Sequence, residues 1–179
     1  EGPSMSFNEV AEFPAMIPFS ATTGGYKVSM VSNQGFQPTK IKVKSGKINL
    51  ALSSDMQSNV DVMVMIPELK SNGAMFTQSV QLVYDANQTM MTMDVGPIDI
   101  ASYNLDITEN HEFTVMYTAT DINGDIVLNE ANGTMTDLNY EVIEGTWLNQ
   151  AFDLPKETIE IGLYDNWESG TLTFADPKV

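Results

Sequence analysis

The stretch Val60-Asp61-Val62-Met63-Val64-Met65-Ile66 alternates with a period of two residues, apolar aliphatic positions on one face and polar or sulfur-containing positions on the other. Successive side chains of a β-strand point to opposite faces, so this alternation predicts a strand that packs one face on a core. We therefore expect Val62 and Val64 to be buried and Met63 and Met65 to lie on the opposite face.

The same period recurs along most of the chain and predicts an all-β protein. Strands are predicted over 26–32, 39–44, 48–52, 60–66, 75–84, 89–95, 98–107, 113–117, 126–130, 135–143, 159–163 and 172–174. Helix is limited to a turn or two at 5–13 and 147–152. The fold expected from this pattern is an antiparallel β-sandwich.

Three Asn-Gly pairs separate strand-like runs, at 72–73, 123–124 and 132–133. A two-residue hairpin turn of type I′ needs positive φ at both central residues, which Asn and Gly tolerate. Each pair therefore predicts a hairpin.

The chain is expected to divide into an N-terminal extension over 1–25, a β-sandwich over 26–145 and a C-terminal segment over 146–179. An x-Ser-Gly-x-apolar-x-apolar motif occurs at 44–50 and again at 168–174, and we expect it to mark a bulge or a tight turn that opens a strand. If the two copies, 124 residues apart, are a true repeat, they favour a second domain that opens at 146. If the match is due to chance, 146–179 supplies further strands of the first sandwich. A chain that starts at Glu1 is typical of a processed or excised fragment.

Composition excludes several classes of function. The formal net charge is −16, and all eight basic residues are lysine. Nucleic acid and anionic lipid repel such a chain. The absence of cysteine removes disulfides and cysteine-based metal sites, and the single His111 is too few for a two-histidine zinc site. No run approaches the roughly 18 apolar residues of a membrane helix.

Asp121, Asn123 and Asp125 form the candidate metal site. Two carboxylates and an amide within five residues suit calcium, which prefers hard oxygen ligands. An Asn-Gly hairpin flanked by solvated aspartates accounts for the same residues and is favoured. No other cofactor is expected.

The candidate binding surface consists of Met63 and Met65 together with aromatic residues further along the chain. If the valines beside them face the core, these two methionines lie outward or against a neighbouring module. The aromatic residues Trp147, Tyr164 and Trp167 suit a platform for a glycan, although packing at a domain junction is favoured for tryptophan.

Two basic features are expected to have ordinary structural roles. Lys40, Lys42, Lys44 and Lys47 fit the solvent face of a strand better than a site for a polyanion. His111 lies in a polar stretch and is expected to be an exposed loop residue, because no nucleophile elbow accompanies it.

Short motifs over residues 41–179 carry a resemblance to a known group of proteins. They are Val43-Lys44-Ser45-Gly46-Lys47-Ile48, the run over 99–106, and the Asn166-Trp167-Glu168-Ser169-Gly170 segment that leads to Pro177. In these motifs the chain resembles secreted and surface proteins of the Bacteroidota that are strings of immunoglobulin-like or late-embryogenesis-like sandwiches. The resemblance implies export and a surface or matrix role, and it implies no catalytic residues.

We therefore expect a non-catalytic structural or interaction module of an extracellular or cell-surface protein, associated with the outer membrane. Its partner would be a protein or neighbouring copies in a surface assembly. A carbohydrate- or calcium-binding module is the alternative, and a lipid-binding sandwich is a third. An enzyme is not expected, since no acid–base pair, nucleophile elbow or phosphate loop is visible.

Overall fold

The computed structural model describes residues 14–30 and 35–147. Within these ranges it contains strands and no helix, which confirms the all-β class. The strands are β1 (Ile17–Ser20), β2 (Tyr26–Ser29), β3 (Phe36–Ser54), β4 (Val60–Ser71), β5 (Ala74–Leu82), β6 (Met91–Asp99), β7 (Asn104–Asp106), β8 (Glu112–Asp121), β9 (Gly124–Asp125) and β10 (Glu130–Trp147).

These strands form one antiparallel sheet in the order β1-β10-β3-β7-β4-β8-β2, with β5 paired to β4, β6 to β3 and β9 to β8. The short β7 joins two halves, because it pairs with β3 at Ile41 and with β4 at Leu69. One half is thus β1-β10-β3-β6, and the other is β5-β4-β8-β2. Inward apolar side chains from both halves form a single buried cluster. This organisation is consistent with a β-sandwich, the finer class predicted from the sequence.

Strand β4 alternates between buried and outward side chains as its period predicts. Val60, Val62, Val64 and Ile66 are all buried, at 2% exposure or less. Met63 on the opposite face is 40% exposed, and Met65 is half-buried. The predicted alternation of core and outer positions in β4 is confirmed.

The Asn-Gly pairs have three different outcomes. Asn72 and Gly73 have φ of 50° and 83° and connect β4 to β5, so the first predicted hairpin is confirmed. The second hairpin exists but is shifted by one residue, because Asp121 pairs with Gly124 and the turn centres on Ile122 and Asn123.

The third Asn-Gly pair does not form a turn, and that prediction is wrong. Asn132 and Gly133 lie inside β10, between β1 and β3. A Cβ on Gly133 would lie 2.6 Å from the ring of Phe19, so the glycine serves the close approach of an aromatic ring.

The first Ser-Gly motif lies within a strand. β3 continues through Ser45 and Gly46 and joins the runs predicted at 39–44 and 48–52. The register irregularity lies opposite, where β10 shifts between Thr136 and Asn139 and Asp137 has φ of 54°. A Cβ on Gly46 would lie 2.8 Å from Cδ2 of Leu138, so the side chain that packs on the glycine would have to shift to admit one. The second copy of the motif lies outside the described residues.

Other segments differ from the prediction at their boundaries. Residues 17–20 of the expected N-terminal extension form β1, and Ala15 accepts a backbone hydrogen bond from Leu138. The predicted strand 98–107 is divided between β6 and β7 by a turn at 101–102, and 126–128 is a connection. β10 continues to Trp147, two residues beyond the expected boundary at 145.

Candidate interaction face

The outer side of β5, β4 and β8 presents three aligned rows of side chains that face away from the core. Met63 lies between Ser79 and Thr118 in the middle row. We call this surface the methionine face and define it by nine residues, Asp61, Met63, Met65, Thr77, Ser79, Gln81, Met116, Thr118 and Thr120.

Strand register places these residues together. β4 runs between β5 and β8, so its outward positions are flanked on both sides by outward positions of the neighbours. Met65 pairs directly with Met116 of β8 and with Thr77 of β5. A parallel bridge between Thr22 and Met116 brings the segment before β2 beside this end of the face. The result is an outward surface with sulfur at its centre and hydroxyl groups around it.

The methionine face is poor in charge although the chain carries a net charge of −16. Asp61 is the one charged member of the nine, and its Oδ1 accepts a hydrogen bond of 2.7 Å from Gln81 Nε2. A shallow recess of about 370 Å³ lies here and is lined by Met63, Ser79 and Thr118 among others. Charge depletion and methionine enrichment are features of the central part of protein interfaces.

The predicted metal residues occupy the turn between β8 and β9. Asp121 Oδ1 accepts from the backbone N–H groups of Asn123 and Gly124 at 2.7 and 3.1 Å. Its Oδ2 accepts from Ser58 Oγ at 3.0 Å and from Asn123 Nδ2 at 3.1 Å. The Asn123 backbone hydrogen bond is the main cause that lowers the pKa of the Asp121 carboxyl below its ordinary 3.8. Both oxygens are therefore engaged in holding the turn.

Across residues 14–30 and 35–147, no three histidine, aspartate or glutamate side chains converge as a metal-binding group. Asp125 is exposed and pairs through its backbone with Thr120. The calcium site at Asp121, Asn123 and Asp125 stays a prediction.

A chelator is expected to leave the melting temperature of the full chain unchanged within about 1 °C, since a calcium ion would have to displace the Asp121 turn bonds. Thermal unfolding followed by circular dichroism, with millimolar calcium or with EDTA, measures this. A fall of many degrees in EDTA that added calcium reverses would show that the ion stabilises the fold.

The lysines at 40, 42, 44 and 47, which we call the lysine stripe, lie on the outer face of β3 and alternate there with the buried Ile41 and Val43. β3 is an interior strand, so these lysines do not protect a sheet edge. Lys42 Nζ lies 2.9 Å from Glu141 and Lys47 Nζ lies 3.2 Å from Asp137, both on β10. Neighbouring acids partly neutralise the stripe, which argues against a polyanion site.

His111 belongs to the loop between β7 and β8 and is half-buried, not exposed as expected. Its Nδ1 lies 3.4 Å from the Pro38 carbonyl oxygen, and its own carbonyl accepts from Met30 N–H. With φ of 59°, His111 shapes the loop.

Among the aromatic candidates, the backbone of Trp147 pairs with Phe36 at the end of β10. The Trp147 side chain, Tyr164 and Trp167 lie outside the described residues, so the glycan platform stays a prediction.

The sequence indicated Met63 and Met65 but missed the row from β8. The alternation at 113–117 predicted that strand, and Met116 and Thr118 occupy its other face. The sequence pattern could not predict the pairing of β4 with β8, because this pairing joins segments about 55 residues apart.

No helix in the described part of the chain has the length and apolar character needed to cross a membrane. Comparisons with protein-family models, with curated proteins and with solved structures find no match to this chain.

Proposed function

We propose that this protein is a non-catalytic interaction module of an exported or cell-surface protein, and that it binds a protein partner through the methionine face. One observation carries the proposal: the face is a charge-poor, methionine-centred surface on a strongly acidic chain.

The shape of the face favours a protein over a small molecule. Small-molecule sites are concave and enclose most of their ligand. The recess beside Met63 and Gln81 is shallow and lies on a sheet surface. Unbranched thioether side chains adapt to an apolar partner surface, and the surrounding hydroxyl groups of Thr77, Ser79 and Thr118 supply a polar rim.

The extracellular location rests on the resemblance of the chain's motifs to surface proteins of the Bacteroidota. The proposal of partner binding rests on the methionine face alone, and its test does not depend on where the protein is located.

Met63→Glu is expected to abolish partner binding, because a carboxylate at the centre of an interface loses its hydration without a counter-charge. The measurement is photo-crosslinking. A photoreactive side chain is placed at a position that lines the recess, and the full chain is incubated with envelope proteins of its source organism. The expected result is a discrete crosslinked protein that wild type captures and that the variant captures at least about tenfold less.

Thr92→Glu is the matched control, since it adds the same charge at an exposed position of β6 in the other half of the sheet. It should bind as wild type does. Equal loss in both variants would indicate a general charge effect, and equal retention in both would place the binding surface elsewhere.

A further inference from the structure

The Asn72-Gly73 turn between β4 and β5 leaves both of its central residues without restraint. Both residues are exposed, and nothing lies within 4 Å of a Cβ added at Gly73. In the described part of the chain, neither the Asn72 side-chain amide nor the Gly73 backbone N–H takes part in a hydrogen bond. The two groups that react with one another in an Asn-Gly sequence are therefore free.

Asparagine is a chemically labile residue, and a following glycine makes it more so. When the Gly73 nitrogen loses its proton to hydroxide or water, it can form a bond to Cγ of Asn72. The Cγ–Nδ2 bond then breaks with release of ammonia, and a cyclic succinimide remains. Water opens this ring at either carbonyl, which gives aspartate or isoaspartate. Glycine favours the attack, since it has no Cβ to obstruct the nitrogen.

The Asn123-Gly124 pair has the same sequence chemistry, but Asp121 restrains it. Both of its residues are exposed and the space around Gly124 is equally open, so accessibility does not distinguish the two turns. Gly124 N–H donates to Asp121 Oδ1 at 3.1 Å, and Asn123 Nδ2 donates to Asp121 Oδ2 at 3.1 Å. The carboxylate holds both the attacking nitrogen and the leaving amide, and its negative charge opposes loss of the Gly124 proton.

The sheet restrains the third pair. Asn132 and Gly133 lie in β10 and pair with β1 on one side and with β3 on the other. Asn132 Nδ2 donates to Glu130 Oε1 at 2.9 Å, and Asn132 Oδ1 accepts from Ser20 Oγ at 3.0 Å. Closure of the succinimide ring would need a rotation of the backbone that breaks this pairing. The three pairs thus differ in restraint and not in sequence.

We propose that Asn72 is a site of spontaneous deamidation in the folded protein, and that it converts to aspartate and isoaspartate before Asn123 and Asn132 do. The conversion consumes a water molecule, releases ammonium and leaves a carboxylate at the turn. Isoaspartate also adds a methylene group to the backbone between β4 and β5. Phe76 is buried and holds β5 on the core, so the change is confined to this end of the hairpin. The turn does not belong to the methionine face, so deamidation occurs whether or not that face binds a partner.

Peptide mapping by mass spectrometry, after incubation of the full chain at mildly alkaline pH, measures the conversion at each pair. We expect conversion at Asn72 to be at least about tenfold faster than at Asn123, because the bonds to a carboxylate must first break there, and slower still at Asn132. In urea the three sites should react at similar rates. Conversion first at Asn123 or Asn132, no conversion at Asn72, or the same order of rates in the folded and unfolded chains would overturn the proposal.

Two variants test the cause of the difference. Asp121→Ala removes the bonds that hold Asn123 and Gly124, so the rate at Asn123 should rise toward that of Asn72, whose own rate should not change. Asn72→Asp keeps a dipeptide that hairpin turns favour but lacks the amide, so the ammonia released early in the incubation should be lost. Circular dichroism checks that both variants fold. An unchanged rate at Asn123 in Asp121→Ala, or unchanged early ammonia release from Asn72→Asp, would contradict the proposal.

Discussion

Val64→Asp is expected to unfold the protein, whereas Met65→Asp should be tolerated. Val64 is fully buried, and in the sheet it lies between Gln78 of β5 and Tyr117 of β8. The substitution loses about 2 kcal/mol of apolar burial and places a carboxylate in the core at a cost of several more. A total above about 4 kcal/mol is a large part of the 5–15 kcal/mol that typically stabilises a domain.

Urea unfolding of the two variants measures the difference. Met65 is half-buried on the outer side of the same strand, so a carboxylate there keeps contact with water and should cost about 1 kcal/mol or less. Because the two positions are adjacent, local strand propensity is nearly the same for both. Equal loss from both variants would mean that β4 is covered on both sides, as it would be if the methionine face were permanently occupied.

Local pattern predicted this strand because the period of two depends only on neighbouring residues. The faces of β4 follow from seven consecutive residues, and the structure confirms them. The methionine face depends instead on which strands lie beside β4. That information is in the packing of the whole core, so the sequence indicated Met63 and Met65 but not Met116 or Thr118.

The Asn-Gly pairs show where local chemistry is decisive and where it is overridden. At Asn72-Gly73 both residues have positive φ, and nothing lies within 4 Å of a Cβ added at the glycine. No neighbouring group opposes the turn preference there, and the hairpin forms. At Asn132-Gly133 a neighbouring aromatic ring determines the outcome, and the strand continues through the pair. A prediction made from the Asn-Gly dipeptide alone cannot distinguish these two cases, because the aromatic ring belongs to Phe19, which is distant in the sequence.

Gly133→Ala is expected to destabilise the protein by about 2–4 kcal/mol, the range of overpacking in a well-filled site. The added Cβ would lie 2.6 Å from Cε2 and Cζ of Phe19 and 2.9 Å from the Asn49 carbonyl oxygen. The ring is buried between β1 and the core, and the carbonyl belongs to the interior strand β3, so neither neighbour can move far. Without these contacts, alanine in place of glycine would stabilise a strand slightly, by lowering the entropy of the unfolded chain.

A double-mutant cycle with Phe19→Leu separates the ring contact from the rest. Phe19→Leu alone should cost about 1–2 kcal/mol for lost burial. In the Gly133→Ala background it should cost at least about 1 kcal/mol less, or even stabilise, because the smaller side chain relieves the clash that alanine creates. Urea unfolding of the four proteins gives the coupling energy. Strict additivity would show that Phe19 does not lie on Gly133. Relief by Phe19→Leu should remain incomplete, since the Asn49 carbonyl oxygen still opposes the new methyl group. The destabilisation that remains measures the contribution of the backbone carbonyl, and the part that Phe19→Leu relieves measures the contribution of the ring.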